Sequence, residues 1–348
     1  MFRRLCCVLV IASFFVFAAS PTVLRAEDEV AKPVDRYAVP EGDVAAIFEF
    51  LKGLETYRPT TTDDQLAYRQ NARKALQTAA DRIIKLEKDK TSDAYRKASS
   101  IQLQLGLAEV QNGTAETQRN VYQKVLAHLK SAKSASQQDL ALAYTFGQVL
   151  EQVGNVDLAK EAYGEFGKFF STSADASLAG YGEKMKGIAR RLDLPGKEMK
   201  IEGATVGGEA FDWKAYRGKV VLIDYWATWC GPCIQELPNV KENYDKYHDK
   251  GFEVVGISLD SDPARLQRFL AEHEIPWACL FEEGAGWDHP MAKYYGVMGI
   301  PATMLLDRDG KVVSMGIRGG ELGRQLASLL GPVGEAETAA PEGKTATP

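Results

Sequence analysis

From about residue 45 to 192 apolar residues recur at helical spacing, in a stretch rich in Ala, Leu, Gln and Lys and poor in Pro. Leu66, Ala72, Ala75, Leu76, Ala79, Ile83 and Leu86 form one stripe, and Val121, Tyr122, Val125, Leu126 and Leu129 another. The pattern predicts an all-helical domain over 45–194. At Pro195-Gly196 the period changes. Apolar runs short enough for strands then alternate with helical segments: strands at 219–225, 252–258, 277–281, 303–306 and 311–315, with a turn at Asp307-Arg308-Asp309-Gly310. Helices are predicted from the cysteines near 230 to about Lys250, from Pro263 to about Glu274, at 291–295 and at 321–330. Met199–Ile201 and Glu209–Phe211 read as a hairpin around Gly207-Gly208. Together these predict an α/β unit over 195–331, a mixed sheet flanked by helices.

The two ends differ from this body. Arg3 and Arg4 precede an apolar run from Leu5 to Ala19, followed by Glu27-Asp28-Glu29, which is the layout of a secretory signal peptide over 1–26. A membrane-spanning helix needs roughly 20 apolar residues, so a tether through an uncleaved signal is the alternative. Residues 27–44 contain Pro33 and Pro40, lack periodicity and read as a linker, and 332–348, rich in Ala, Glu, Thr and Pro, as a disordered tail. The protein is therefore expected to be exported, to the periplasm or cell envelope.

Export changes what the cysteines and charges mean. Of five cysteines, Cys6 and Cys7 fall in the signal, leaving Cys230, Cys233 and Cys279. A bridge between Cys230 and Cys233 closes too small a loop to staple a fold, so the pair reads as a working disulfide. Loss of Arg3, Arg4 and Arg25 takes the formal charge from −5 to −8, which argues against a nucleic-acid partner.

The chemistry concentrates in Trp229-Cys230-Gly231-Pro232-Cys233, directly after the apolar run Val220–Trp226. A strand-to-helix turn places Cys230 at a helix N-terminus, where free N–H groups and the helix dipole favour the thiolate. That thiolate can attack a disulfide, and Cys233 can then resolve the mixed disulfide. Pro232 suits the first turn, where its missing donor costs nothing. A zinc role lacks support, because there is no second ligand pair and His128, His248, His273 and His289 are scattered. No cofactor or metal is expected. Asp224 interrupts the buried strand with a carboxylate that needs a partner or a task. Cys279, in a strand-like run, reads as a buried inert thiol, and Glu236 as a solvated helix residue.

Residues 196–331 resemble the thioredoxin fold, in particular the exported thiol:disulfide oxidoreductases of the TlpA/ResA type, which are related to the redoxins. The resemblance rests on Gly218–Leu222, the run Trp226–Cys233 followed by Glu236-Leu237-Pro238, Gly299–Thr303 and the hairpin 307–312. It implies that Asp224 relays a proton for Cys233, that Ile300-Pro301 is cis, and that the Ile300 backbone binds the substrate chain beside Pro301. Trp229 would cover the dithiol. The lysine that thioredoxin places opposite its buried Asp corresponds here to about Gly256, a departure from the pattern. A peroxidase of this fold would carry Thr or Ser at Ala227, so peroxide reduction is disfavoured.

The resemblance further implies protein disulfide substrates, an antioxidant, thiol-reducing activity fed by a membrane electron donor, and a place in cytochrome c maturation. The Gly-Pro dipeptide is that of strongly reducing thioredoxins and favours a reductase; a disulfide isomerase or oxidant is the alternative. A third reading comes from the helical half. Tyr144–Tyr163 resembles one tetratricopeptide helix pair, with Gly147, Leu150, Gly154, Ala159 and Tyr163 at matching offsets. Such a domain would suit a protein partner, and the chain could then be a binding or assembly protein with secondary redox activity; a helical bundle that merely packs is the alternative.

Overall fold

The structure, a computed structural model, describes residues 35–332. The signal reading over 1–26, the first part of the linker and all but the first residue of the tail lie outside the described residues. No helix of the described residues is long and apolar enough to cross a membrane.

Among the described residues seven helices come first: α1 (Val44–Thr56), α2 (Thr62–Leu86), α3 (Asp93–Asn112), α4 (Ala115–Lys130), α5 (Gln137–Gln152), α6 (Val156–Ser171) and α7 (Ala176–Leu192). Each starts at a side chain that accepts an otherwise unpaired backbone N–H: Asp43, Thr61, Ser92, Thr114, Ser136, Asn155 and Asp175. Ala72, Ala75, Ala79 and Ile83 are buried as the α2 stripe predicts, but Leu66 and Leu86 are exposed. They sit near the two ends of a 25-residue helix. Residues 39–44, expected within the linker, are packed: Val39 and Val44 lie against the core of α1–α3, and Arg82 donates to the Val39 and Pro40 carbonyls.

Between α5 and α6 the chain turns through Gly154-Asn155, and the Tyr163 ring sits on Gly147 where a Cβ would collide with it. Tyr122, Phe146 and Phe166 pack around this pair with ring centroids 6.0–6.2 Å apart. A buried ionic node ties three helices together. Arg96 of α3 makes a two-pronged contact with Asp139 of α5, and His128 of α4 lies 3.0 Å from the same carboxylate. Burial opposes the Asp139 charge, yet hydrogen bonds from His128 and Ser136 and the Arg96 charge hold its carboxyl below the usual range.

The second half is a five-stranded sheet in the order β3-β2-β1-β4-β5. The strands are β1 (Val220–Trp226), β2 (Phe252–Ser258), β3 (Ala278–Leu280), β4 (Ala302–Leu306) and β5 (Val312–Met315). The strands β1, β2 and β3 run parallel, while β4 and β5 are antiparallel additions. Around them lie α8 (Gly231–Tyr247), α9 (Pro263–Glu272), α10 (Pro290–Tyr294) and α11 (Gly320–Leu330). This is the thioredoxin-like α/β fold, preceded by an all-helical region.

The predicted hairpin takes a different form. Met199 and Ile201 are buried in the sheet core, and their segment bonds to the β5 side through Gly196 N–H to Val312 O and Met199 N–H to Gly310 O. The turn at Gly207-Gly208 joins Thr205 to Glu209 instead. Met199 and Ile201 therefore leave the hairpin to fill the core, a contact over a hundred residues along the chain that local alternation does not encode.

The described residues from Val39 to Pro332 pack as one compact unit. At the seam, Gly187 of α7 meets Gly296, just past α10, so closely that a Cβ on Gly187 would lie 2.5 Å from the Gly296 nitrogen. Gly296 also has φ +59°, which disfavours a side chain. Beside it the Arg190 guanidinium lies 3.9 Å from the centre of the Tyr294 ring and donates to the Tyr294 carbonyl.

Candidate active site

The apolar strand β1 runs into the tight turn 227–230, and α8 starts immediately after it. Cys230 is the N-cap residue of α8, with Pro232 in its first turn. Cys230 and Cys233 are joined by a disulfide with Cα atoms 5.3 Å apart. The two are equally buried, 5% and 6% exposed. Position does distinguish them. The Cys233 N–H donates to Cys230 Sγ at 3.3 Å, and no such donor from the helix start is aimed at Cys233 Sγ among the described residues. Only Cys230 therefore has an orphan amide placed to hold its thiolate.

A second carboxylate, which sequence reading missed, shapes the turn. Asp260, just past β2, accepts the Thr228 N–H at 2.9 Å, the Thr228 hydroxyl at 2.5 Å and the Ser258 hydroxyl at 2.8 Å. It is 1% exposed. Asp260→Ala would leave the Thr228 amide and two hydroxyls without this acceptor, so a loss of about 3 kcal/mol in urea denaturation is expected. Asp260→Asn, which keeps an acceptor oxygen, should lose less; equal losses below about 1 kcal/mol would show that the turn is held otherwise.

Asp224 lies in β1, opposite Gly256 of β2 and Thr303 of β4. Its Oδ1 is buried with no hydrogen-bond partner. Burial, then the Glu236 charge, push its carboxyl up to about 7, against the pull of Arg318. The absence of a lysine at Gly256 has a steric cause: a Cβ there would lie 2.9 Å from Trp226 Nε1 and 3.4 Å from Cys279 Sγ. The Trp226 indole fills the space a lysine stem would need.

Glu236 is not the solvated residue expected. Half-buried on α8, it accepts the Gly319 N–H at 2.7 Å and the Asn239 amide at 2.6 Å. It thereby caps the start of α11 while repelling the Asp224 charge. Cys279 is buried and unbridged, and burial foremost pushes its thiol up to about 12, which leaves it unreactive.

The Ile300-Pro301 bond is cis and leads into β4. Arg318, also absent from the sequence reading, donates to the Pro301 carbonyl. Trp229 is 46% exposed and pairs with the exposed Trp287, ring centroids 6.0 Å apart. The partnerships of Asp260, Glu236, Arg318 and Trp287 each join residues distant in sequence. Their only local signal was charge or aromaticity, in loops next to apolar strands for Asp260, Arg318 and Trp287 and on α8 for Glu236. Among the described residues no cluster of His, Cys, Asp and Glu is arranged to hold a metal.

Residues 193–325 match the Redoxin family. Over 123 residues the chain is 32% identical to the thiol-disulfide oxidoreductase ResA of Bacillus thuringiensis subsp. konkukian, covering 35% of this chain and 68% of that protein. Over 124 residues it is 34% identical to the thiol:disulfide interchange protein HelX of Rhodobacter capsulatus, covering 35% of this chain and 66% of that one. Among solved structures, the thioredoxin domain of a thiol-disulfide oxidoreductase from Bacteroides vulgatus is 26% identical, with TM-score 0.36, covering 39% of this chain and 97% of that one.

Proposed function

We propose that this chain, which belongs to the ResA family of thiol-disulfide oxidoreductases, acts as a reductase of exported protein disulfides through Cys230 and Cys233. The observation that carries this reading is the bridge across the first turn of α8, with the Cys233 amide directed at Cys230 Sγ. In the reduced protein the Cys230 thiolate attacks a substrate disulfide. A Cys230–substrate S–S bond forms, the substrate S–S bond breaks, and the departing sulfur takes up from water the proton that Cys230 had released on ionising. Asp224 accepts the Cys233 proton, the Cys233 thiolate attacks Cys230 Sγ, and the second substrate thiol leaves with the returned proton. Two electrons and two protons have passed to the substrate, and the protein holds the bridge described above. Ile300 and Pro301 seat the substrate backbone, and Trp229 flanks it.

A membrane-bound dithiol donor would return the electrons, as the family resemblance suggests, and would place the protein in the periplasm or cell envelope with a role in cytochrome c maturation. We also propose the division into a helical domain over 45–194 and a thioredoxin-like domain over 195–331. The reductase reading predicts a reduction potential for the Cys230–Cys233 couple of about −270 mV in equilibrium with glutathione. A value between about −120 and −180 mV would instead identify an oxidant or isomerase.

A further inference from the structure

A cavity of about 300 Å³ separates the helical region from the cis-proline loop. That volume lies at the lower end for ligand pockets and suits one or two side chains. One wall is helical: Tyr144, Gln148 and Glu151 of α5, and Arg191 of α7. The facing wall contains Gly299 and Pro301, the two neighbours of Ile300. Arg318, bonded to the Pro301 carbonyl, also lines it.

The charges in this cavity do not balance. Two guanidinium groups face one carboxylate, and that carboxylate is already engaged. Glu151 Oε1 accepts the Tyr163 hydroxyl at 2.8 Å, and Oε2 forms an ion pair with Arg191 Nη2 at 3.8 Å, too long for a hydrogen bond. Arg191 Nε is buried and has no hydrogen-bond partner among the described residues. A buried donor left unpaired is costly, and a carboxylate is the acceptor a guanidinium binds best. The site borders the backbone over which a substrate strand would lie.

We infer that the helical region forms a specificity pocket for this reaction, in which Arg191 and Gln148 receive a carboxylate side chain of the substrate polypeptide adjacent to its reactive cysteine. The inference rests on the disulfide-exchange reading above and assigns the helical half a part in substrate choice. Arg191 is here a specificity residue; it takes no part in sulfur chemistry.

The test uses the full reduced chain and cysteine peptides in mixed disulfide with thionitrobenzoate, identical except for Glu, Gln or Lys beside the cysteine. Dithiodipyridine, small and uncharged, serves as the reference. The Glu peptide is expected to react about tenfold faster than the Lys peptide, and Arg191→Gln to abolish the difference without changing the dithiodipyridine rate. On the exposed Gln148, Gln148→Lys should widen the preference and Gln148→Glu reverse it, which keeps the test decisive should the arginine variant fold poorly. Equal rates for the three peptides, or a preference untouched by all three variants, would overturn the pocket and leave the exchange chemistry standing. Reaction with dithiodipyridine but with no peptide would overturn the protein-disulfide reading itself.

Discussion

Cys230→Ser is expected to abolish disulfide exchange, by on the order of 10⁶-fold, the scale on which loss of a nucleophile acts. Cys233→Ser should instead keep the first attack and stop there. The difference follows from the start of α8, where Cys230 is the N-cap and its sulfur accepts the Cys233 amide at 3.3 Å. A serine hydroxyl at 230 would remain protonated and could not displace a thiolate. A serine at 233 leaves the amide donor and the Cys230 thiolate in place, but removes the sulfur that resolves the mixed disulfide. Non-reducing electrophoresis after mixing with a disulfide protein distinguishes them: a covalent adduct with Cys233→Ser and none with Cys230→Ser. The reverse pattern would exchange the roles of the two cysteines. Cys279, buried and unbridged, should form no adduct in either variant.

Asp224→Asn is expected to stabilise the protein and slow it at once. The unfolded carboxyl ionises near 3.8, whereas in the fold burial and Glu236 push it up to about 7. Below both values each state holds the proton and no penalty exists. As pH rises from there, the unfolded chain gives up its proton first. Folding stability is lost until pH passes the folded value, reaching about 4 kcal/mol. Asparagine cannot ionise, so the gain from the substitution should be about 3 kcal/mol larger at pH 8 than at pH 5 in urea titrations of the oxidised protein. The variant also lacks the base for the Cys233 proton, and its mixed disulfides should resolve on the order of 10²-fold more slowly. A gain that does not vary with pH would mean that Asp224 is ionised in the fold. An unchanged resolution rate would remove it from the mechanism.

All three variants concern residues that stand out in the sequence, and the reason is local. Cys230, Pro232 and Cys233 fall within one turn of helix, so their spacing states their geometry. Asp224 is conspicuous because β1 is otherwise apolar. The alternation of strands and helices after residue 195 was similarly legible, as each element carries its own period. What escaped was long-range. Glu236 meets Gly319, and Asp260 meets Thr228, through sheet order and helix placement that no window of sequence contains. Leu66 and Leu86 misled for a related reason: helical spacing says which residues share a face, but not how far along that face a neighbouring helix extends. Gly256 is intermediate. Its register opposite Asp224 could be anticipated, but that the Trp226 indole occupies its side-chain space could not.

The seam at Gly187 and Gly296 bears on how this protein can be divided. Two helical-region residues, Gly187 and Ile188, approach the backbone beside α10 within the width of a missing methyl group, and Met298 packs into the helical core. Neither glycine can take on bulk without prying the halves apart. A fragment beginning at residue 195 would present Met298 and the Tyr294 face to water. It should aggregate more readily than the whole chain while retaining its sulfur chemistry, and so would be a poor stand-in for the protein in any search for partners.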